Sequence, residues 1–232
     1  SVTDIGKYAF ARNDNLKTVE LPDSITEIKD SIFYDDYNLE SIKLPKNLKT
    51  IGEHAFTWCR SIKSLEIPDS VTEIGEYAFS ACYGLETIHL PKGLTNVVYG
   101  TFVDCSKLTD ITIPENVTKI DTDAFKGCQA LRSVYIPGNS VKIEKRAIGY
   151  NSDTEKNSTL VLIGHKGSTA ETYAAGENFA FHNVTDPLTH YASVEPTCIN
   201  EGNIEYWHCN VCGKDFSNEA GTVVSKKKKI EK

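Results

Sequence analysis

The sequence contains no methionine, only two tryptophans and no long hydrophobic run. No apolar stretch reaches the length of about 18 residues that suggests a membrane-spanning helix. We therefore predict no membrane insertion. The first residues also lack the basic segment and hydrophobic core of a signal peptide.

Basic residues are in the minority, which argues against a nucleic-acid partner. The formal net charge is -7, from 25 Lys and Arg against 32 Asp and Glu. After Asp186, six lysines balance six acidic residues, so the negative charge lies on the preceding part of the chain. The one basic cluster, Lys226 to Lys229, is typical of an exposed strand or a fraying end. Because nucleic-acid binding needs a basic face, we predict no nucleic-acid partner.

Motifs of common enzyme sites are missing as well. The sequence has no nucleophile elbow, no phosphate-binding loop and no paired set of catalytic carboxylates. The histidines do not recur at one position: His54, His89, His165 and His182 fall at different places in the pattern described below. We therefore predict that the chain is not an enzyme.

The sequence does have a strict period: residues of the same type recur at a constant interval, which is the distance in sequence from Phe10 to Phe33. Its phenylalanines are Phe10, Phe33, Phe56, Phe79, Phe102 and Phe125. Its prolines are Pro22, Pro45, Pro68, Pro91, Pro114 and Pro137, and its cysteines are Cys59, Cys82, Cys105 and Cys128. A fixed period of this length predicts a solenoid, in which each repeat forms one coil stacked on the next. We number the coils one to six by their phenylalanines.

Each repeat combines a short strand, a proline, a second apolar pair and a turn that carries the phenylalanine. In Leu65-Glu66-Ile67 the alternation directs the aliphatic side chains inward and the glutamate outward. Proline ends the strand pairing because it has no backbone N–H. Burial of about seven apolar side chains stabilises one repeat by roughly 10–20 kcal/mol. Fixing its backbone costs about 1–2 kcal/mol for every residue of the repeat, which is more in total. One repeat alone is therefore unstable, and the repeats must stack. The spacing Leu85-x-x-Ile88-x-Leu90 is the strand signature of leucine-rich repeats, so we predict a β-rich (α/β) solenoid of the leucine-rich repeat type.

The cysteine at each repeat leaves three interpretations open. The thiols could fill a small buried slot as free groups, since Asn13 and Asp36 occupy the same position in coils one and two. They could instead form disulfides between neighbouring coils. A metal or redox site is the third interpretation.

Residues 1–150 resemble the BspA-like leucine-rich repeats of bacterial surface proteins. The resemblance rests on motifs such as Ile67-Pro68-Asp69-Ser70-Val71-Thr72-Glu73-Ile74-Gly75 and Ala78-Phe79-Ser80-Ala81-Cys82. It implies an extracellular or cell-surface bacterial protein that binds a host or matrix protein or a glycan. The chain begins in mid-repeat, so we expect it to be a fragment whose targeting signal would lie upstream.

The repeat pattern changes at two places. In coil five, the segment 96–101 departs from the usual motif, and we expect a local distortion there. After Ile148 the period ends, and residues 151–186 are predicted to form a C-terminal cap. We expect a buried strand at 160–164, a short helix capped by Ser168 or Thr169, and a final strand at 179–181.

Residues 187–232 are predicted to form a small, separate β module. Cys209-x-x-Cys212-Gly213 suits a metal, because the short turn directs both sulfurs at one ion. We predict a structural zinc held by His190, Cys198, Cys209 and Cys212, with His208 as an alternative to His190. A disulfide from Cys198 to Cys209 or Cys212, or packing without any bond, remains open. The segment resembles a small module near the C-termini of Gram-positive gut-bacterial surface proteins.

Two surfaces are candidates for binding. One is the outward strand face, with the column Glu20, Lys43, Glu66, His89, Thr112 and Tyr135 beside a column of Thr18, Ser41, Ser64, Thr87, Asp110 and Ser133. The other is an aromatic edge formed by Tyr37, Trp58 and Tyr83. We predict a non-enzymatic adhesion module. The alternative is a structural spacer that displays other domains of a larger surface protein.

Overall fold

The structure is a computed structural model that describes residues 2–196, 202–225 and 229–230. It confirms the predicted solenoid. The longer strands of the coils are β1 (Thr18–Glu20), β3 (Ser41–Lys43), β5 (Ser64–Glu66), β7 (Thr87–His89), β9 (Asp110–Thr112) and β11 (Ser133–Tyr135). The shorter strands are β2 (Glu27–Ile28), β4 (Thr50–Ile51), β6 (Glu73–Ile74), β8 (Asn96–Val97), β10 (Lys119–Ile120) and β12 (Lys142–Ile143).

Strands of neighbouring coils pair in parallel, with a register offset of one repeat: Thr18 lies opposite Ser41, and Lys119 lies opposite Lys142. Because the repeat has no insertions, side chains of one kind stand above one another from coil to coil. The sequence period therefore becomes a set of columns in space.

The phenylalanines form the central column. Neighbouring rings are stacked with centroids 5.2–5.5 Å apart, from Phe10 to Phe125. From Phe33 onward each ring is at most 1% exposed. Each turn also donates backbone hydrogen bonds to the next coil, such as Phe56 N to Ala78 O at 2.8 Å. The turn therefore supplies a third hydrogen-bonded edge beside the two strand ladders.

The turn of each of the six coils contains two left-handed residues, with φ between +54° and +76°, and Arg146 continues the first series beyond coil six. The first series is Tyr8, Ser31, His54, Tyr77, Gly100, Asp123 and Arg146. The second is Arg12, Asp35, Trp58, Ala81, Asp104 and Gly127. This conformation is uncommon for residues other than glycine. It recurs at fixed positions, so it belongs to the architecture of the turn.

The expected departure in coil five is present. Strand β8 pairs with β10, but no ladder pairing joins it to β6 within the described residues. Gly100 occupies a left-handed position there, and an added Cβ would lie 2.6 Å from Tyr77 Cε1. The long-strand ladder is also interrupted, between β3 and β5 and between β7 and β9, in the part of the chain that the structure describes.

The cap contains β13 (Val161–Gly164), α1 (Thr169–Glu177) and β14 (Ala180–Asn183). Ser168, one of the two predicted capping residues, is the N-cap of α1. Its hydroxyl accepts a hydrogen bond from Glu171 N. The final strand begins one residue later than expected. Strands β13 and β14 extend the long-strand sheet beyond β11, so they cover the last coil.

The C-terminal module contains β15 (Leu188–Tyr191), β16 (Gly202–Asn203), β17 (Tyr206–Cys209), β18 (Asp215–Phe216) and β19 (Lys229–Ile230). Its antiparallel sheet has the order β15-β17-β18. The module packs on the outward face of the cap, where Cys209 and Phe216 join Val161 and Ile163 in one buried cluster. Module and cap therefore share a small buried cluster that is separate from the main core of the solenoid.

Candidate functional site

The solenoid cysteines are free, fully buried thiols. Each donates to the carbonyl of a phenylalanine 26 residues earlier: Cys59 Sγ lies 3.2 Å from Phe33 O, and Cys82 Sγ lies 3.1 Å from Phe56 O. Cys105 and Cys128 repeat this contact at 3.1 and 3.2 Å. Burial raises the pKa of Cys82 to about 12. Of the three interpretations, the structure favours thiols that fill a packing slot.

Asp36 occupies the same slot in coil two and is fully buried. Its Oδ1 accepts a hydrogen bond from Asn13 N at 2.7 Å. Its Oδ2 has no hydrogen-bond partner among the described residues. Burial raises the pKa of this carboxyl from 3.8 to about 6, because the charged form loses water without gaining a cation. A charged carboxylate in this slot therefore stabilises the coil less than the thiol does in later coils.

The outward strand face remains open only over the first five of its six predicted positions. Glu20 and Lys43 form an ion pair, and Glu66 lies opposite His89 in the ladder. Tyr135 does not belong to the open face, because it packs against the cluster beneath the C-terminal module. Ser133, from the neighbouring column, is also fully buried. The open face is thus short, and Glu20 and Lys43 on it neutralise each other.

The predicted aromatic edge is exposed and also contains a cation. Tyr37, Trp58 and Tyr83 are 37%, 37% and 40% exposed. The guanidinium carbon of Arg60 lies 5.7 Å from the Trp58 ring centroid and 5.7 Å from that of Tyr83. These distances match cation–π contacts, so the arginine holds a fixed place between two rings. We call Tyr37, Trp58, Arg60 and Tyr83 the aromatic–arginine strip.

Further rings continue from the strip across the turns. Tyr34 lies 5.7 Å from Trp58 and 6.3 Å from His54, measured between ring centroids. His54 stacks on Tyr77 at 5.0 Å, and Tyr77 meets Tyr99 edge-on at 5.2 Å. A hydrogen bond with Tyr99 raises the pKa of Tyr77 to about 12. These partly buried rings form a continuous chain of ring contacts along the edge that carries the strip.

A polar groove of about 720 Å³ adjoins the strip. It lies where β3 and β5 are not joined by ladder pairing, and Ser41 and Ser64 line it together with Arg60, Lys63 and Lys107. Glu40 is the acidic side chain of this lining. We call this feature the basic groove. It connects the two surfaces predicted from the sequence, since its serines come from the strand face and Arg60 comes from the strip.

Gly84 keeps the groove open beside Arg60. A Cβ added at Gly84 would lie 2.2 Å from Arg60 O, so a side chain there would displace the backbone that carries the arginine. The role of Arg60 was missed from the sequence although a signal existed. Tyr37, Arg60 and Tyr83 occupy the same position in three successive repeats.

The described residues that could hold a metal are His182, Cys209 and Cys212, whose ligand atoms lie within 4.8 Å of one another. His182 Nδ1 is 3.4 Å from Cys212 Sγ. Burial lowers the pKa of His182, which favours the neutral ring, and raises the pKa of Cys212 to about 11. His182 Nε2 is buried without a hydrogen-bond partner among the described residues.

Within the described residues, neither of the two predicted histidines joins Cys209 and Cys212. His190 pairs with Glu205 at 2.9 Å and stacks on Trp207, because β15 places it opposite Trp207 on an exposed part of the sheet. The alternative, His208, pairs with Asp215 at 2.7 Å. Cys198 lies outside the described residues, as do the disulfides proposed for it. Cys209 and Cys212 are free thiols.

His182 was missed as a partner of these cysteines because no local pattern links them. It lies in a cap strand, well before Cys209 in the sequence. Only the packing of the module against β14 brings the three side chains together.

A family profile described as "BspA type Leucine rich repeat region" matches residues 1–36 and 26–155 in six copies. Among solved structures, the T. pallidum leucine-rich repeat protein is 27% identical with a TM-score of 0.54, covering 64% of this chain and 69% of that one. A Eubacterium ventriosum leucine-rich repeat protein is 24% identical (TM-score 0.50), covering 60% and 44%. The pneumococcal vaccine antigen PcpA is 21% identical (TM-score 0.50), covering 76% and 57%.

The last two likenesses are of the fold alone. A search of curated proteins gave no significant match. Within the described residues, no helix combines the length and the apolar character needed to cross a membrane.

Proposed function

The chain belongs to the BspA-type leucine-rich repeat family, and from that premise we propose that it is a non-enzymatic binding module of a bacterial surface or secreted protein. The observation that carries the proposal is the aromatic–arginine strip beside the basic groove. Ordinary solvated repeat surfaces do not need large rings that are more than a third exposed.

The ligand that this surface fits best is a glycan that carries acidic groups. Exposed rings offer flat apolar faces on which sugar rings stack, and the serine hydroxyls of the groove can hydrogen-bond to sugar hydroxyls. Arg60, Lys63 and Lys107 supply positive charge in a chain whose net charge is -7. A host or matrix protein with an acidic, sugar-bearing surface would satisfy the same chemistry.

The strip is suited to recognition because it is already ordered. Arg60 contacts two rings at 5.7 Å. Trp58 N donates to Ser80 O at 2.9 Å, which ties the backbone of the strip to the next coil. A surface that is fixed before binding loses less side-chain entropy when the ligand arrives.

The test is an array of glycans and matrix proteins probed with the whole chain. We expect binding to acidic glycans that weakens between low and physiological salt, because exposed charges are screened. Trp58→Ala together with Tyr83→Ala should weaken binding at least about 10-fold, as is usual for exposed aromatic anchors. Tyr191→Ala is the matched control, since that ring is 44% exposed but lies on the C-terminal module.

If the chain binds none of the glycans and matrix proteins on the array, the proposal is contradicted. That result would favour a spacer that displays other domains. If binding is unchanged in the double variant, the ligand binds another surface, and the strand face is the next candidate.

A further inference from the structure

We propose that His182, Cys209 and Cys212 bind a zinc ion that joins the C-terminal module to the cap of the solenoid. The proposal is independent of ligand binding at the strip. The donors come from two separate parts of the chain: His182 lies on β14 of the cap, whereas Cys209 ends β17 of the module and Cys212 follows in its turn.

The donor set selects the metal. Two thiolate sulfurs and one imidazole nitrogen are ligands that zinc prefers, whereas magnesium and calcium prefer oxygen ligands. Zinc also accepts the four-coordinate geometry that a short Cys-x-x-Cys turn and a histidine from another strand can form. The three ligands leave one tetrahedral position, which no described residue fills.

The distances are close to those of a loaded site. With zinc bonds of about 2.3 Å to sulfur and 2.05 Å to nitrogen, tetrahedral geometry puts nitrogen and sulfur about 3.6 Å apart. His182 Nδ1 and Cys212 Sγ are 3.4 Å apart. All three ligand atoms fall within 4.8 Å of one another. Loading therefore needs only small side-chain movements.

The turn that carries the cysteines is already shaped for an ion. Cys212 N donates to Cys209 Sγ at 3.4 Å, and Gly213 N donates to Cys209 O at 2.8 Å. Gly213 has φ +70°, which favours glycine at this point of the turn. A backbone N–H directed at sulfur stabilises the thiolate that a metal requires.

The surroundings explain why a metal would matter. His182 and Cys209 are fully buried, and the His182 ring lies 4.2 Å from the Phe216 ring. Cys209 and Phe216 are the fully buried hydrophobic residues of the module among the residues described. Such a small core needs an additional cross-link to be stable, and an ion bound by both the cap and the module would provide it.

The experiment uses the whole chain purified without chelator, with metal content measured by mass spectrometry. We expect one zinc per chain. In the cobalt-substituted protein we expect thiolate-to-cobalt charge-transfer bands. His182→Ala and Cys212→Ser should each weaken zinc binding at least about 100-fold, because they remove a direct ligand. His190→Ala is the matched control and should retain the metal.

A second measurement tests the joint between module and cap. Chelation of the wild-type chain should increase hydrogen exchange in β15 and β17, while exchange at the solenoid strands stays unchanged. If His182→Ala does not fold, His182→Gln preserves a polar side chain at the same place. The circular dichroism of the Cys212→Ser variant reports whether the solenoid is intact.

Three results would overturn the proposal. The first is a wild-type chain that binds no zinc at neutral pH. The second is zinc that survives His182→Ala but is lost in His190→Ala, which would place the ion within the module alone. The third is a native Cys209–Cys212 disulfide, detected as a mass lower by two hydrogens in the metal-free chain.

Discussion

The charge on Asp36 should reduce the stability of the solenoid at neutral pH, and Asp36→Asn should remove that penalty. The carboxyl is fully buried in the slot that a thiol fills in later coils. One oxygen accepts from Asn13 N, and the other has no partner among the described residues. An amide keeps the acceptor and removes the charge.

The magnitude follows from the shifted pKa. Burial raises the pKa of Asp36 from 3.8 to about 6. At about 1.36 kcal/mol per unit, the shift corresponds to about 3 kcal/mol. The folded state binds the proton more tightly than the unfolded state. The contribution to stability is therefore fully present below about pH 4 and is lost as the pH rises through about 6.

The assay is urea unfolding of wild type and Asp36→Asn at several pH values between about 4 and 7.5. We expect nearly equal free energies of unfolding at the acidic end and an advantage for the variant that grows to about 3 kcal/mol at neutral pH. Glu86→Gln is the control, because it removes one negative charge from an exposed position and Glu86 is not among the groups that shift the pKa of Asp36. A difference between wild type and Asp36→Asn that does not change with pH would refute the reasoning.

Three further predictions concern the solenoid core. The four solenoid thiols should react with a thiol reagent at pH 8 only after denaturant is added, because burial raises their pKa values and blocks access; fast native labelling would contradict this. Phe79→Ala should cost about 3–5 kcal/mol in urea unfolding, since it leaves a cavity between two stacked rings; a loss below about 1 kcal/mol would mean that the column collapses to fill it. Gly100→Ala should cost about 1–3 kcal/mol through strain at φ +61° and the contact with Tyr77, whereas the control Gly6→Ala, with nothing within 4 Å of the added Cβ, should be nearly neutral by the same measurement.

Much of the fold could be predicted because the repeat uses the same local physics at every coil. For example, Phe56 packs on Phe33 and Phe102 packs on Phe79 in the same way, because the same residues recur in each coil. The helix at Thr169–Glu177 was also predictable, since its capping serine is a local feature. The interruptions of the long-strand ladder were not predicted, because the repeat pattern does not change at β3, β5, β7 and β9.

The candidate sites were only partly predictable. Tyr37, Trp58 and Tyr83 follow from their positions in the repeat, because the period fixes which edge they share. Lys107 lines the basic groove together with Gly84 and residues of earlier coils, and no local pattern shows that these side chains share one groove. The burial of Tyr135 depends on a module that folds back from a distant part of the chain.

The sequence by itself determined the solenoid and its register, and it placed the repeat cysteines in one column and Tyr37, Trp58 and Tyr83 near one edge. Each of these follows from a constant period that carries every side chain of one kind to the same place in the next coil. Only the tertiary structure decided that His182 rather than His190 lies beside Cys209, and that the module closes the end of the strand face. These are contacts between a cap strand and a folded module without a repeat. Their partners are set by packing in three dimensions, because no regular spacing along the chain connects them.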